Sequence, residues 1–172
     1  MTAARKLVEI FVKPGEFFVG DAQYRIHTLL GSCVSIVLWH PEKHVGALSH
    51  FLLSNRGSKI PSELDARYGE EVMWLMLDEL KHWRVAAKDC QGKIFGGGNM
   101  FPKQARAGMI NVGQRNGETA RSLLRSHGIS ITSESLFGVG HRRIIFEVCS
   151  GDVWVRQVEP HDPHQPEMRM SV

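Results

Sequence analysis

Three side chains suited to amide chemistry stand close together early in the chain: Thr28, Cys33 and His50. Cys33 lies in the run Thr28-Leu29-Leu30-Gly31-Ser32-Cys33-Val34, directly after a Gly31-Ser32 corner and at the head of an apolar, β-branched stretch ending at Trp39. A glycine before a thiol lets backbone or substrate come close, which is where a nucleophile is useful. His50 closes the next apolar run, Val45-Gly46-Ala47-Leu48-Ser49. A hairpin across Pro41-Glu42-Lys43-His44 would put Cys33 and His50 at the same end of neighbouring strands, within hydrogen-bond reach.

A free thiol has a pKa of about 8.5, so only a few per cent is thiolate at neutral pH. An imidazolium partner would lower that value, each unit being worth about 1.4 kcal/mol. Such an ion pair attacks carbonyl carbon. The histidine then serves as acid toward a departing amine and as base toward water. Thr28 or a nearby carbonyl would accept from the second ring nitrogen, and the N–H groups of the Gly31-Ser32-Cys33 corner would face an oxyanion. Two other chemistries use the same stretch or a similar one. His27, Cys33 and His50 form a three-ligand N/S set for a metal, but without tight ligand spacing. Gly96-Gly97-Gly98 lacks the Lys-Ser/Thr of a phosphate loop, and Pro102 blocks a helix start. No metal and no cofactor is expected.

The elements that must hold these residues are readable from periodicity. Strands are predicted over 7–12, 16–19, 24–30, 34–39 and 45–53, and a short strand from Lys93 breaks into the glycine corner. Apolar residues at Val72, Leu75, Met76 and Leu80 predict a helix over 64–82, whose Met73, Trp74, Met76 and Trp83 stripe is read as core. A second helix is predicted over 117–127 with Asn116 as its N-cap, then strands over 130–134, 143–148 and 153–158. The order does not alternate as βαβ units. It predicts an α+β fold of layered β-sheets with two main helices on an outer face. One domain is expected over 1–158, followed by a disordered, Pro-rich tail over 159–172.

The 172 residues, 42% hydrophobic and 23% charged, suit one domain with a full core. The net charge of +3 comes from scattered basic residues, which argues against nucleic acid as a partner. No apolar run approaches the length of a membrane span, and no leader is seen, so direct membrane insertion is not expected. Cys33, Cys90 and Cys149 are odd in number and far apart, the usage of a reducing, cytoplasmic compartment. Cys149 is read as a small core residue and Cys90 as a turn residue.

Four segments, in order, resemble the chemoreceptor glutamine deamidase family, CheD, of bacterial chemotaxis: Thr28 to Val34, Val45 to His50, Lys93 to Phe101, and Asn111-Val112-Gly113-Gln114-Arg115-Asn116. The resemblance implies a cysteine amidohydrolase that converts glutamine side chains of methyl-accepting chemotaxis receptors to glutamate, releasing ammonia. It also implies a three-layer fold similar to the deamidase domain of cytotoxic necrotizing factor toxins, and a Cys–His–Thr triad. Carried over, Cys33 is the nucleophile, His50 the base and acid, and Thr28 the third member. The threonine lies five residues before the cysteine in the common pattern and six before in some members, where this chain has His27. A one-residue slip on a strand reverses the side chain. Two departures are Gly98 where alanine is common, and the lack of the proline often found just after the histidine. The family implies a CheC-type phosphatase as a second partner. The competing function is an adaptor that docks on receptors or that phosphatase with vestigial catalysis; a redox or metal-binding thiol protein ranks third.

Overall fold

A computed structural model describes residues 4–57, 59, 62–104, 111–159 and 168–170. Their strands, numbered along the chain, form two five-stranded sheets. The first runs in the order β1 (Val8–Phe11), β3 (Tyr24–Leu30), β8 (His141–Glu147), β9 (Val153–Val158) and β10 (Met168–Met170). The second runs β2 (Phe17–Gly20), β5 (Val45–Ser49), β4 (Val34–His40), β6 (Gln91–Gly96) and β7 (Ser130–Leu136). Two helices, α1 (Gly69–His82) and α2 (Val112–Ser126), pack on the outer face of the second sheet. The layers are therefore helices, sheet and sheet, the α+β layout expected.

The middle layer explains the continuous apolar run after Cys33. All seven residues of β4 are buried. Val34, Ile36 and Leu38 share one core with Met73, Met76 and Leu80 of α1 and with Ala120 and Leu124 of α2. Val37 and Trp39 share the other core with Ile26, Leu30, Ile144 and Phe146 of the first sheet. A strand covered on both faces has no solvent face to mark with polar residues. Each fully buried leucine or isoleucine contributes about 1.5–3 kcal/mol.

Several expectations need correction. Residues 64–68 are not helical: Tyr68 N–H closes a turn on the Asp65 carbonyl, the Leu52 and Leu53 N–H groups both bond to the Arg67 carbonyl, and Gly69 N–H bonds to the Leu53 carbonyl, so tertiary pairing replaces the first helical turn. Of the Met/Trp stripe, Met73 and Met76 are core, whereas Trp74 and Trp83 face solvent. α2 starts five residues earlier than expected, because the Asn111 side chain accepts from Gln114 N–H at 3.1 Å and caps it. β6 and β7 are parallel and joined through α2, so one βαβ unit is present after all. Cys90 is the buried core cysteine and Cys149 the half-buried one, the reverse of the sequence expectation. Within the stretch read as a disordered tail, Met168–Met170 pairs antiparallel with β9; 160–167 and 171–172 lie outside the described residues.

The chain leaves the first sheet at Leu30 and enters the second at Val34, so Gly31, Ser32 and Cys33 are the crossover between layers. The glycine corner after β6 grips it. Gly97 N–H donates to the Cys33 carbonyl and Gly98 N–H to the Gly31 carbonyl, both at 2.9 Å. Gly96 has φ +113°, and a Cβ there would stand 2.2 Å from the Cys33 carbonyl oxygen. Gly96→Ala is expected to cost about 3 kcal/mol, combining left-handed strain with overpacking. Gly128→Ala, with φ +69° but open space around it, is expected to cost only about 1. Urea midpoints check this, and equal costs would refute the close approach.

Candidate active site

Strand alternation decides which neighbour of the crossover faces inward. Along β3, Ile26, Thr28 and Leu30 are buried, while His27 and Leu29 point to the outer face. His27 bonds Glu9 there, so His27, Cys33 and His50 do not converge as a ligand set. Thr28 is fully buried between the sheets, and its Oγ1 lies 2.8 Å from His50 Nδ1. The same hydroxyl donates to the Val12 carbonyl at 2.7 Å. Thr28 has one hydroxyl proton, so His50 Nδ1 must be the donor in their bond. That fixes the tautomer and leaves Nε2 with its lone pair. The backbone of His50 is held too, its carbonyl accepting from Gly15 N–H and its N–H donating to the Glu16 carbonyl.

Register places the thiol. Val37 pairs with Leu48, and a last bridge pairs Val34 with Phe51. One residue further, Cys33 stands opposite Leu52 and diagonal to His50, on the same face of the sheet. Diagonal neighbours are about 7–8 Å apart between backbones, within reach of long and aromatic side chains. No hydrogen bond joins Cys33 to His50 among the described residues, so the direct bond expected from the sequence is replaced by a diagonal placement. Cys33 is half-buried and packs against the core between the sheets.

The carbonyls of the crossover are all committed: Gly31 to Gly98 N–H, Cys33 to Gly97 N–H, and Ser32 to the Asn116 side chain at 3.2 Å. The N–H groups of Ser32 and Cys33 have no acceptor on another residue among those described. Gly31 and Ser32, the residues expected to line an oxyanion cleft, thus form the crossover itself, with Gly31 held through its carbonyl.

Burial governs the charges. It pushes the Cys33 thiol above its ordinary value, against a smaller opposing pull from its own backbone N–H. Burial also takes His50 down to about 4, outweighing the Val12 carbonyl and the Glu16 charge, which both favour the protonated ring. The expected thiolate–imidazolium ion pair is thus not the resting state. Both groups are neutral, because desolvation disfavours each charged form.

Residues 52–157 match the family model described as CheD, chemotactic sensory transduction. The chain is 60% identical over 161 residues to a protein of Albidiferax ferrireducens named "Probable chemoreceptor glutamine deamidase CheD 2", covering 93% of each. The chain belongs to the CheD family. Two further members are similar under the same kind of name. One from Dechloromonas aromatica is 40% identical over 153 residues, covering 89% of each chain. One from Chromobacterium violaceum is 38% identical over 156 residues, covering 91% of this chain and 81% of that one. The family-model match begins beyond Thr28, Cys33 and His50, whereas the match to the first relative leaves too little of the chain outside it to exclude them.

The structure thus brings Thr28, Cys33, His50, Gly31 and Ser32 to one place and turns His27 away from it. Two contributors were missed in the sequence: the Val12 carbonyl, which any residue could supply, and the Asn116 side chain, whose signal was an asparagine inside a helix rather than at its start.

His50 titrates at about 4 when folded against an ordinary 6.5, so folding favours its neutral form. The stability this brings is complete above about pH 6.5 and is lost as pH falls toward 4. Between pH 7 and 5 the wild type is expected to lose about 2 kcal/mol more than His50→Gln in denaturant unfolding. Equal losses would mean that the ring is not desolvated.

Proposed function

We propose that the protein is a cysteine-dependent protein-glutamine glutaminase, hydrolysing side-chain amides of glutamines in methyl-accepting chemotaxis receptors to glutamate and ammonia. The observation that carries this is the Val12–Thr28–His50 chain of hydrogen bonds, which leaves an unprotonated nitrogen on a ring diagonal to Cys33. Membership of a family whose named relatives are chemoreceptor glutamine deamidases supplies the substrate class.

The steps follow from the protonation states. His50 Nε2 takes the Cys33 proton as the sulfur attacks the amide carbon of a bound glutamine, and the carbonyl oxygen becomes an oxyanion facing the Ser32 and Cys33 N–H groups. The imidazolium gives its proton to the amide nitrogen, the C–N bond breaks, and ammonia leaves a thioester on Cys33. Water then loses a proton to Nε2 and attacks the thioester, the C–S bond breaks, and the sulfur recovers a proton. Thr28 keeps Nδ1–H in place throughout and accepts more strongly when the ring is charged. No helix among the described residues is long and apolar enough to cross a membrane, which agrees with work on the cytoplasmic part of a receptor. A CheC-type phosphatase as regulatory partner belongs to the same proposal, on family grounds alone.

Purified protein should release ammonia from receptor fragments that contain modifiable glutamines, and Cys33→Ala should abolish the release. Equal release by both proteins would eliminate the thioester route; full chemotactic function of Cys33→Ala would favour an adaptor instead. Thr28→Val keeps the shape but removes the acceptor for Nδ1–H, and kcat is expected to fall roughly 10²-fold. An unchanged kcat for that variant would show that the ring needs no such partner.

A further inference from the structure

Asn116 lies inside the second turn of α2, where asparagine is a poor helix former because its side chain competes for backbone groups. It is 1% exposed. Its carboxamide spans two separate segments: Nδ2 donates to the Ser32 carbonyl at 3.2 Å and to the Leu52 carbonyl at 2.8 Å. Oδ1 accepts from Ser54 Oγ at 3.2 Å, and that hydroxyl accepts from Thr119 Oγ1 at 2.9 Å. Both amide protons are spent on carbonyls, one just before Cys33 and one two residues after His50.

The position of these bonds gives them meaning. The β4–β5 ladder stops at the Val34–Phe51 bridge, and the next N–H groups, of Leu52 and Leu53, turn away to Arg67. Where the backbone ladder ends, Asn116 takes over as the link between the thiol-bearing and imidazole-bearing arms. A trans peptide points its C=O and N–H in opposite directions. Holding the Ser32 carbonyl toward α2 therefore turns the Cys33 N–H away from α2, toward the open side of the crossover. Gly98 does the same for the preceding peptide by holding the Gly31 carbonyl.

We infer that Asn116 is a positioning residue for deamidation, fixing the Ser32–Cys33 peptide so that the Cys33 N–H faces the developing oxyanion. It rests on the deamidase function proposed above and adds a residue that touches neither substrate nor thiol. Asn116→Asp keeps the size and the acceptor for Ser54 but loses both donors; Asn116→Ala serves if the aspartate variant fails to fold. In folded protein, verified by near-ultraviolet circular dichroism, kcat for ammonia release is expected to fall by about 30-fold or more with KM changed by less than about 3-fold. Iodoacetamide labelling of Cys33, which forms no oxyanion, should stay within about 3-fold of wild type. Unchanged kcat, or labelling that falls in step with kcat, overturns the inference. A crystal structure of Asn116→Ala separates this from the function itself. A Ser32–Cys33 peptide that keeps its orientation there defeats the role of Asn116 whatever the wild type does. A turned peptide beside a wild-type protein that releases no ammonia leaves the hold of Asn116 on the crossover standing but overturns its role in deamidation along with the proposed function.

Discussion

The hydroxyl of Thr28 has one proton, and the Val12 carbonyl takes it. From that follows the state of His50, whose Nδ1 is left to donate and whose Nε2 is left free. The bond also joins the layers, since Thr28 belongs to the first sheet and His50 follows the last residue of β5 in the second. A carboxylate in place of Thr28 would orient the ring equally well, but it would bring a charge into the space between two sheets, at a desolvation cost of several kcal/mol. A hydroxyl does the orienting without a charge.

The neutral resting pair follows from comparing magnitudes. Where no hydrogen bond joins them, roughly beyond 4 Å, a thiolate and an imidazolium attract by less than about 4 kcal/mol at an effective dielectric of about 20. Lowering His50 from 6.5 to about 4 already corresponds to about 3 kcal/mol against the imidazolium, and the thiolate carries a further penalty of its own. The attraction loses, and no hydrogen bond closes the gap. In the proposed reaction the sulfur therefore parts with its proton only as the amide arrives, when the developing oxyanion meets the Ser32 and Cys33 N–H groups. A thiol held neutral by burial is also less open to oxidation, since oxidation follows thiolate character.

What could be read from the sequence was what depends on residue type and alternation. Cys33, His50 and Thr28 stood out because their chemistry is rare. Their common placement followed from a hairpin that does form. The choice between Thr28 and His27 was open in the sequence and is decided by one observation, that Ile26, Thr28 and Leu30 face inward together. What was illegible depends on partners distant in the chain. The start of α1 yields to pairing between residues 52–54 and 67–70. Asn116 looked like a cap because asparagine is a favoured N-cap residue and Glu118 follows near the positive end of the expected helix; Gly113, a poor helix former, lies in what is the first turn. That glycine is required in the first turn of α2, because a Cβ there would stand 2.5 Å from the Gly97 carbonyl oxygen. The thiol–imidazole ion pair failed for a different reason: sequence shows which groups can titrate, not how much water each keeps.

A crossover between two sheets is a physically sensible place for the proposed nucleophile. Inside a ladder every N–H is paired, so a residue there has no donor to offer a substrate. Where the chain passes from one sheet to the other, three peptide groups leave both ladders at once, and their carbonyls still need donors. Those donors come from the connection after β6 and from α2: Gly97, Gly98 and Asn116 each supply one, and the Ser32 and Cys33 N–H groups have no acceptor on another residue among those described. The site is thus divided along the chain. The three side chains proposed for chemistry come from its first 50 residues, whereas the groups that hold the crossover open come from the β6–α2–β7 unit. Residues 52–157, which match the family model, contain none of the three side chains and all three of the donors. Changes in the Gly96 to Gly98 corner or the first turns of α2 would therefore act on the reaction by moving the crossover backbone, without touching thiol, ring or substrate.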